Sequence, residues 1–105
     1  GFKVASALAT ARPDKANRLV SCIYSRYSET TSLPYHASVT DDMSSYHAFE
    51  EIHSDTAAAI IETGFLNLDR VILTQQPDLI AEGVARGVLC YIRNEDASPP
   101  DEQLP

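Results

Sequence analysis

The sequence predicts a single α/β domain, and three observations carry that prediction: two stretches with apolar residues spaced by three and four, a short unbroken apolar run that ends in a polar turn, and a weakly alternating segment at the start. With 105 residues, 44% hydrophobic and 22% charged, the chain has the composition of one globular unit. A chain of this size buries roughly 60 to 70% of its unfolded surface. Its longest unbroken apolar run covers residues 57–61, far short of the ~20 residues that a membrane-spanning helix needs, so no transmembrane segment is expected.

Residues 2–8 alternate weakly and read as a short strand. Pro13 suits a first helical turn and Asp14 complements its positive end, which predicts an amphipathic helix over 14–29 with Ala16, Leu19, Val20, Ile23, Tyr24 and Tyr27 on its apolar face. Leu33-Pro34 then imposes an extended loop, because a residue before proline avoids the helical region. Thr40 ahead of Asp41 and Asp42 is an N-cap with acids in the first turn, and predicts a short helix running through Tyr46 and Phe49. Residues 56–61, followed at once by Glu62, Thr63 and Gly64, read as a fully buried strand ending in a polar turn. Residues 68–74 give two helical turns. Pro77-Asp78 opens a longer helix whose apolar stripe is Leu79, Ile80, Val84, Val88, Tyr91 and Ile92, while Gly83 and Gly87 let it press closely on a neighbour. Residues 95–105, acidic and rich in proline, are expected to be a disordered tail.

The net charge is −7, and removing the four acids of the tail (Glu95, Asp96, Asp101, Glu102) leaves −3. Neither part offers the basic stripe that a phosphate backbone selects, which argues against nucleic acid and anionic membranes as partners. Cys22 and Cys90 are too few for a disulfide framework, and both fall on apolar helical faces, where a small core residue is the expected role.

Glu62 is the residue that most needs an explanation. A carboxylate directly after the apolar run of residues 57–61 stands at the end of what should be a buried strand, and burying it without a partner costs several kcal/mol. At the carboxyl end of a strand in an α/β sheet, side chains point into the crevice where ligands bind, and removal from water there suits a carboxyl to general acid or base chemistry. A salt bridge or an exposed turn is the structural alternative. A second polar cluster, HAFEEIH over residues 47–53, invites a metal reading that its spacing does not support: His47 and Glu51 share a helical face, but His53 falls on another. There is no Gly-rich phosphate loop, no G-x-S-x-G elbow and no paired CxxC.

The stretch AAAIIETGFLNLDRVILTQQPDLIAEGVARGVLCYI over residues 57–92 resembles the C-terminal part of zinc-dependent N-acetylmuramoyl-L-alanine amidases: an apolar strand ending in a glutamate, a Gly-Phe turn, an Asn or Asp region, a short helix and a last helix rich in Ile, Ala and Gly. Glu62, Gly64, Phe65 and Asn67 occupy those places. Upstream, GFKVAS, the tyrosine-bearing helix and LPYHASVTDDMSSYHAF look like a subgroup of the same enzymes, so that the resemblance covers nearly all of residues 1–93. It implies a fold made of a partial mixed β-sheet flanked by helices, the C-terminal half of an amidase-type (phosphorylase/hydrolase-like) domain over residues 1–94, with the N-terminal half missing. It implies hydrolysis of the amide between N-acetylmuramic acid and L-alanine in peptidoglycan, in a secreted or cell-envelope protein. The cofactor implied is one zinc ion held by two histidines and a glutamate, with Glu62 taking a proton from water and passing it to the leaving amine. Tyr46 and His47 are placed near the substrate groove, and Phe49 and Phe65 in the core. The family's zinc ligands precede the Gly-Phe-Lys-Val segment, and His36, His47 and His53 do not match them, so no metal ligand is expected in this chain and hydrolysis by it alone is not expected. The rival reading is a non-catalytic peptidoglycan-binding or interaction module of the same fold; a third is an acidic helical protein whose ETGF turn is a coincidence.

Overall fold

In a computed structural model of the chain, residues 1–7 and 10–100 are described. Two long helices set the frame, and their seam is built from small residues. Helix α1 (Pro13–Thr31) opens on its proline and stops at Ser32, whose left-handed φ of 60° turns its N–H back to the Ser28 carbonyl. Helix α5 (Pro77–Ile92) again opens on a proline. The two pack so closely that a Cβ at Gly83 would lie 2.8 Å from Cδ1 of Tyr27, and one at Gly87 would lie 2.7 Å from Cα of Ile23. The second of these contacts is with backbone, which cannot swing aside. The expected close approach of Gly83 and Gly87 is therefore present.

The identity of the seam differs from the stripe of large apolar residues read in the sequence. The buried residues of α5 are Gly83, Gly87 and Cys90, while Val88 and Ile92 are exposed. Where two backbones nearly touch, glycine and cysteine occupy the closest line of approach and the larger side chains flank it. Close approach also corrects the expected role of the cysteines. Cys22 and Cys90, both wholly buried, are joined in a disulfide across Cα atoms 5.5 Å apart. On the same seam, Arg18 Nη2 donates to the Tyr91 carbonyl at 2.7 Å and the guanidinium lies over the Tyr91 ring at 4.6 Å.

Strands β1 (Lys3–Ala5) and β2 (Ile60–Glu62) form a two-stranded antiparallel sheet, with Lys3 opposite Glu62, Val4 opposite Ile61 and Ala5 opposite Ile60. The chain is thus a mixed α and β fold, about half of it helical, with a sheet smaller than expected. Strand β2 starts at Ile60 rather than at residue 56, and residues 57–61 are half-buried rather than fully buried. Among the described residues β2 pairs only with β1, and Ala57 to Ala59 have no described strand beside them. The far edge of β1 meets the Leu33-Pro34 loop, where Phe2 N–H donates to the Pro34 carbonyl at 3.0 Å and His36 N–H to the Phe2 carbonyl at 2.8 Å.

Alternation turns Val4 and Ile61 to one face, against α1. There Phe2, Val4, Ile23 and Tyr27 form the buried core, with Ile80 and Val84 of α5 packed on it. The Phe2 ring centroid lies 4.8 Å from that of Tyr27 and 5.4 Å from that of Tyr35, and each such aromatic pair adds about 0.5 to 1.5 kcal/mol beyond burial. Lys3 and Glu62 point from the opposite face.

Between α1 and β2 the single short helix expected is two. Thr40 caps α2 (Asp41–Ser44) as read, its Oγ1 accepting from Met43 N–H, and α3 (Ala48–Glu51) follows a break that contains Tyr46 and His47. Helix α4 (Arg70–Gln75) precedes α5. The segment expected to be a disordered tail is tied down where it begins: Arg26 Nη2 reaches Glu95 Oε1 at 3.1 Å and the Asp96 carbonyl at 3.0 Å. Leu8 of the expected first strand and residues 101–105 of the tail lie outside the described residues.

Closing a loop between residues 68 apart in sequence, the disulfide is expected to contribute about 2 to 4 kcal/mol. The double variant Cys22→Ala/Cys90→Ala should keep the far-ultraviolet circular dichroism of the oxidised protein and unfold at lower urea, with a stability loss in that range. Equal stability, or two titratable thiols in the oxidised protein, would show that the bond is not formed.

Candidate functional site

The turn after β2 is braced from two sides. Tyr27, completely buried in α1, donates its hydroxyl proton to the Thr63 carbonyl at 2.7 Å. Burial, and secondarily the charge of Asp69, push the Tyr27 phenol up to about 12, so it remains a donor throughout the working pH range. From the other side, Asp69 Oδ2 accepts the Phe65 N–H at 2.7 Å and the Gly1 nitrogen at 2.7 Å. Gly64 lets the chain pass this brace, since a Cβ there would stand 3.2 Å from both the Asp69 Cβ and the Leu73 methyl groups. Thus the residue after Glu62 is fixed to the core helix, and Phe65, two positions further on, is fixed to Asp69 at the start of α4.

Glu62 itself is exposed, which corrects the expectation of a buried carboxylate aimed into a crevice. Its place at the last position of β2 on the outward face of the sheet is the reason: alternation that sends Ile61 to the core sends Glu62 away from it. Among the described residues its carboxylate has no hydrogen bond or ion pair. Glu62 lines neither the cavity of about 230 Å³ beside Thr10 and His53 nor the groove of about 840 Å³ along β1 and α1. Around it stand Lys3, its partner in the ladder, and Phe65, over whose ring the Lys3 ammonium lies at 5.8 Å. The edge of Phe65 meets the His36 ring at 5.6 Å. The next residues carry apolar surface into water: Leu66 is 85% exposed and Leu68 83%.

Tyr46 and His47 are brought together, with ring centroids 4.6 Å apart, and both are exposed in the break between α2 and α3. No hydrogen bond or ion pair among the described residues joins either to Glu62. His53 Nδ1 accepts the Asp55 N–H at 3.1 Å, and His36 Nδ1 lies 2.8 Å from Ser38 Oγ. Phe49 and Phe65, expected in the core, are half-buried and lie outside it, Phe49 on the wall of the smaller cavity and Phe65 beneath Lys3. Among the described residues no group of three or more His, Cys, Asp or Glu side chains is placed to hold a metal ion. A zinc ion of the kind the resemblance implies therefore finds no donor set in these residues.

Sequence reasoning missed Tyr27 and Asp69 as the groups that position the turn. Tyr27 was visible only as one apolar-face residue among six. Asp69 had a readable signal in its spacing, four residues after Phe65, at the start of a helix whose first turns pack on the same loop. Compared with protein families, curated proteins and solved structures, the chain matches none of them.

In the 105-residue chain, burial acts to raise the Asp69 carboxyl, but the hydrogen bonds from the Gly1 amino group and the Phe65 N–H outweigh it and hold the group below the usual carboxylate range. A carboxyl depressed by folding contributes stability above its unfolded value, and that contribution is lost as pH falls through the folded value. The thermal midpoint of the wild type should therefore fall between about pH 6 and about pH 2 by more than that of Asp69→Asn. Identical pH profiles for the two proteins would mean that Asp69 does not brace the turn as a carboxylate.

Proposed function

We propose that the chain is part of a peptidoglycan amide hydrolase, cleaving the bond between the N-acetylmuramic acid lactyl group and L-alanine, with Glu62 as its general base. The observation that carries this reading is a carboxylate with no partner among the described residues, at the tip of a strand, on a turn that a buried tyrosine and a buried aspartate hold in place. Surface glutamates ordinarily sit on backbone that need not be fixed; here two buried polar groups fix the residues on its C-terminal side. In the proposed step Glu62 accepts a proton from the attacking water as its oxygen bonds to the lactyl carbonyl carbon. It returns that proton to the L-alanine nitrogen as the C–N bond breaks, so that a carboxylic acid and an amine leave.

Two further features support the reading. The exposed leucines that follow Glu62 in the chain and the single pairing of β2 among the described residues are what a catalytic domain would show where further strands of the same domain belong, and those strands are also where the reading locates the zinc ligands. The buried Cys22–Cys90 disulfide suits an oxidising compartment, hence secretion or the cell envelope. No described helix is long and apolar enough to cross a membrane. The rival is a non-catalytic peptidoglycan-binding module of the same fold.

The two readings separate in one assay. With the complete catalytic domain, Glu62→Gln should lower muropeptide hydrolysis by about two to four orders of magnitude while leaving the bound zinc and the retention on insoluble peptidoglycan unchanged. Undiminished hydrolysis would remove Glu62 from the chemistry. Retention on peptidoglycan by a wild-type domain that releases no product would favour the binding module.

A further inference from the structure

Residues 37–56 are held to the rest of the protein in an uneven way. Among the described residues, every hydrogen bond made from Ala37 to Ser54 stays within this stretch or reaches only its neighbour His36: Thr40 with Met43, Asp41 with Ser45, Tyr46 with Phe49, His47 with Glu50. Met43 and Ser44 are buried and anchor one end. From Ser45 onward the side chains are exposed or half-buried, and Phe49, Ile52, His53 and Ser54 roof the cavity of about 230 Å³ whose floor includes Ala11 and Ala16. Packing beneath this stretch is therefore incomplete.

Among the described residues, one residue fastens its far end. Asp55 Oδ1 accepts from Arg12 Nη1 at 2.5 Å and from Lys15 Nζ at 3.3 Å, and the Asp55 carbonyl accepts from the same Lys15 Nζ at 3.2 Å. Asp14 shares Arg12 with it, at 3.4 Å from both Nε and Nη2. His53, whose Nδ1 receives the Asp55 N–H, completes the titratable groups in contact with the fastening. Asp55, Arg12 and Lys15 have side chains 58%, 39% and 31% exposed. Exposed ion pairs of this kind are weak and are screened as the Debye length shrinks from about 30 Å at 0.01 M salt to about 3 Å at 1 M.

We propose that residues 45–56 are a strap over the small cavity, latched to the start of α1 by Asp55, and that salt opens it by screening the Asp55 contacts with Arg12 and Lys15. When the latch releases, the strap swings about the anchored Met43 and Ser44, carrying Tyr46 and His47 with it and uncovering Ala16. Glu62 takes no part in the latch, so the strap opens and closes whether or not the protein is a hydrolase.

Hydrogen exchange of the intact chain, read by mass spectrometry on peptides from 45–56 with peptides from α5 as the internal reference, tests the latch. Relative to α5, exchange in 45–56 should rise about threefold or more between 0.01 M and 1 M sodium chloride. Asp55→Ala should exchange at the faster rate already at low salt and lose the salt response. A wild-type strap whose relative exchange ignores salt, or an Asp55→Ala protein that keeps the salt response, overturns the proposal. Alkylation of Ala16→Cys, faster at high salt if the strap opens and unchanged if it does not, gives the same decision without altering the latch.

Discussion

The Tyr27 side chain links the two halves of the structure. Its ring lies against Gly83, where α5 has no Cβ to exclude it, and stacks obliquely on Phe2 in the core. Its hydroxyl leaves that apolar setting to meet the Thr63 carbonyl. A buried phenol without an acceptor would cost about 1 to 3 kcal/mol, so the position of the turn behind Glu62 follows from the packing of the two helices. The helices in turn depend on small residues at their closest approach, with Gly87 over the backbone of Ile23 and the disulfide near the end of the seam. A larger residue at Gly83 would displace Tyr27 and thereby the turn.

The molecule consequently has two grades of order. The helix pair, the core aromatics and the Glu62 turn are joined by buried contacts, a covalent bridge and buried hydrogen bonds. The stretch between the Leu33-Pro34 loop and β2 has one-turn helices, exposed side chains and a fastening made at the surface. Local stability in proteins follows this distinction, with weakly packed segments opening at a small fraction of the global free energy. Both groups that the resemblance assigns to the substrate, Tyr46 and His47, lie in the weaker part, and Glu62 on the stronger. Under the hydrolase reading that division suits a fixed base and a movable wall.

Long-period signals in the sequence translated into structure most faithfully. The periodicity around Ile23 and Tyr27 and the proline at position 13 defined α1 to within two residues at its end, and Thr40 capped its helix as its chemistry dictates. Glycines spaced by four announced close approach but not the consequence that two facing cysteines would come within bridging distance, because that depends on how α1 and α5 are rotated against each other. The Ala57 to Ile61 run was the least legible. An apolar run of five reads as a buried strand only if a sheet exists on both sides of it, and here β2 has a single neighbour among the described residues. Glu62 is exposed because alternation along β2 sends it to the outward face. Tyr27 and Asp69 escaped notice because a brace is made by residues remote in sequence, whereas patterns report only local spacing.

The helix pair, through the Tyr27 hydroxyl, holds the turn that carries Glu62. Amide exchange at Phe65 in Tyr27→Phe, compared with the wild type, tests it most directly, since that variant removes one oxygen and leaves the ring packing in place. Loss of one hydrogen bond of about 1 kcal/mol should speed exchange at Phe65 about fivefold while the α5 amides keep their protection. Phe65 exchanging at the wild-type rate would show that the Tyr27 hydroxyl does not hold the turn.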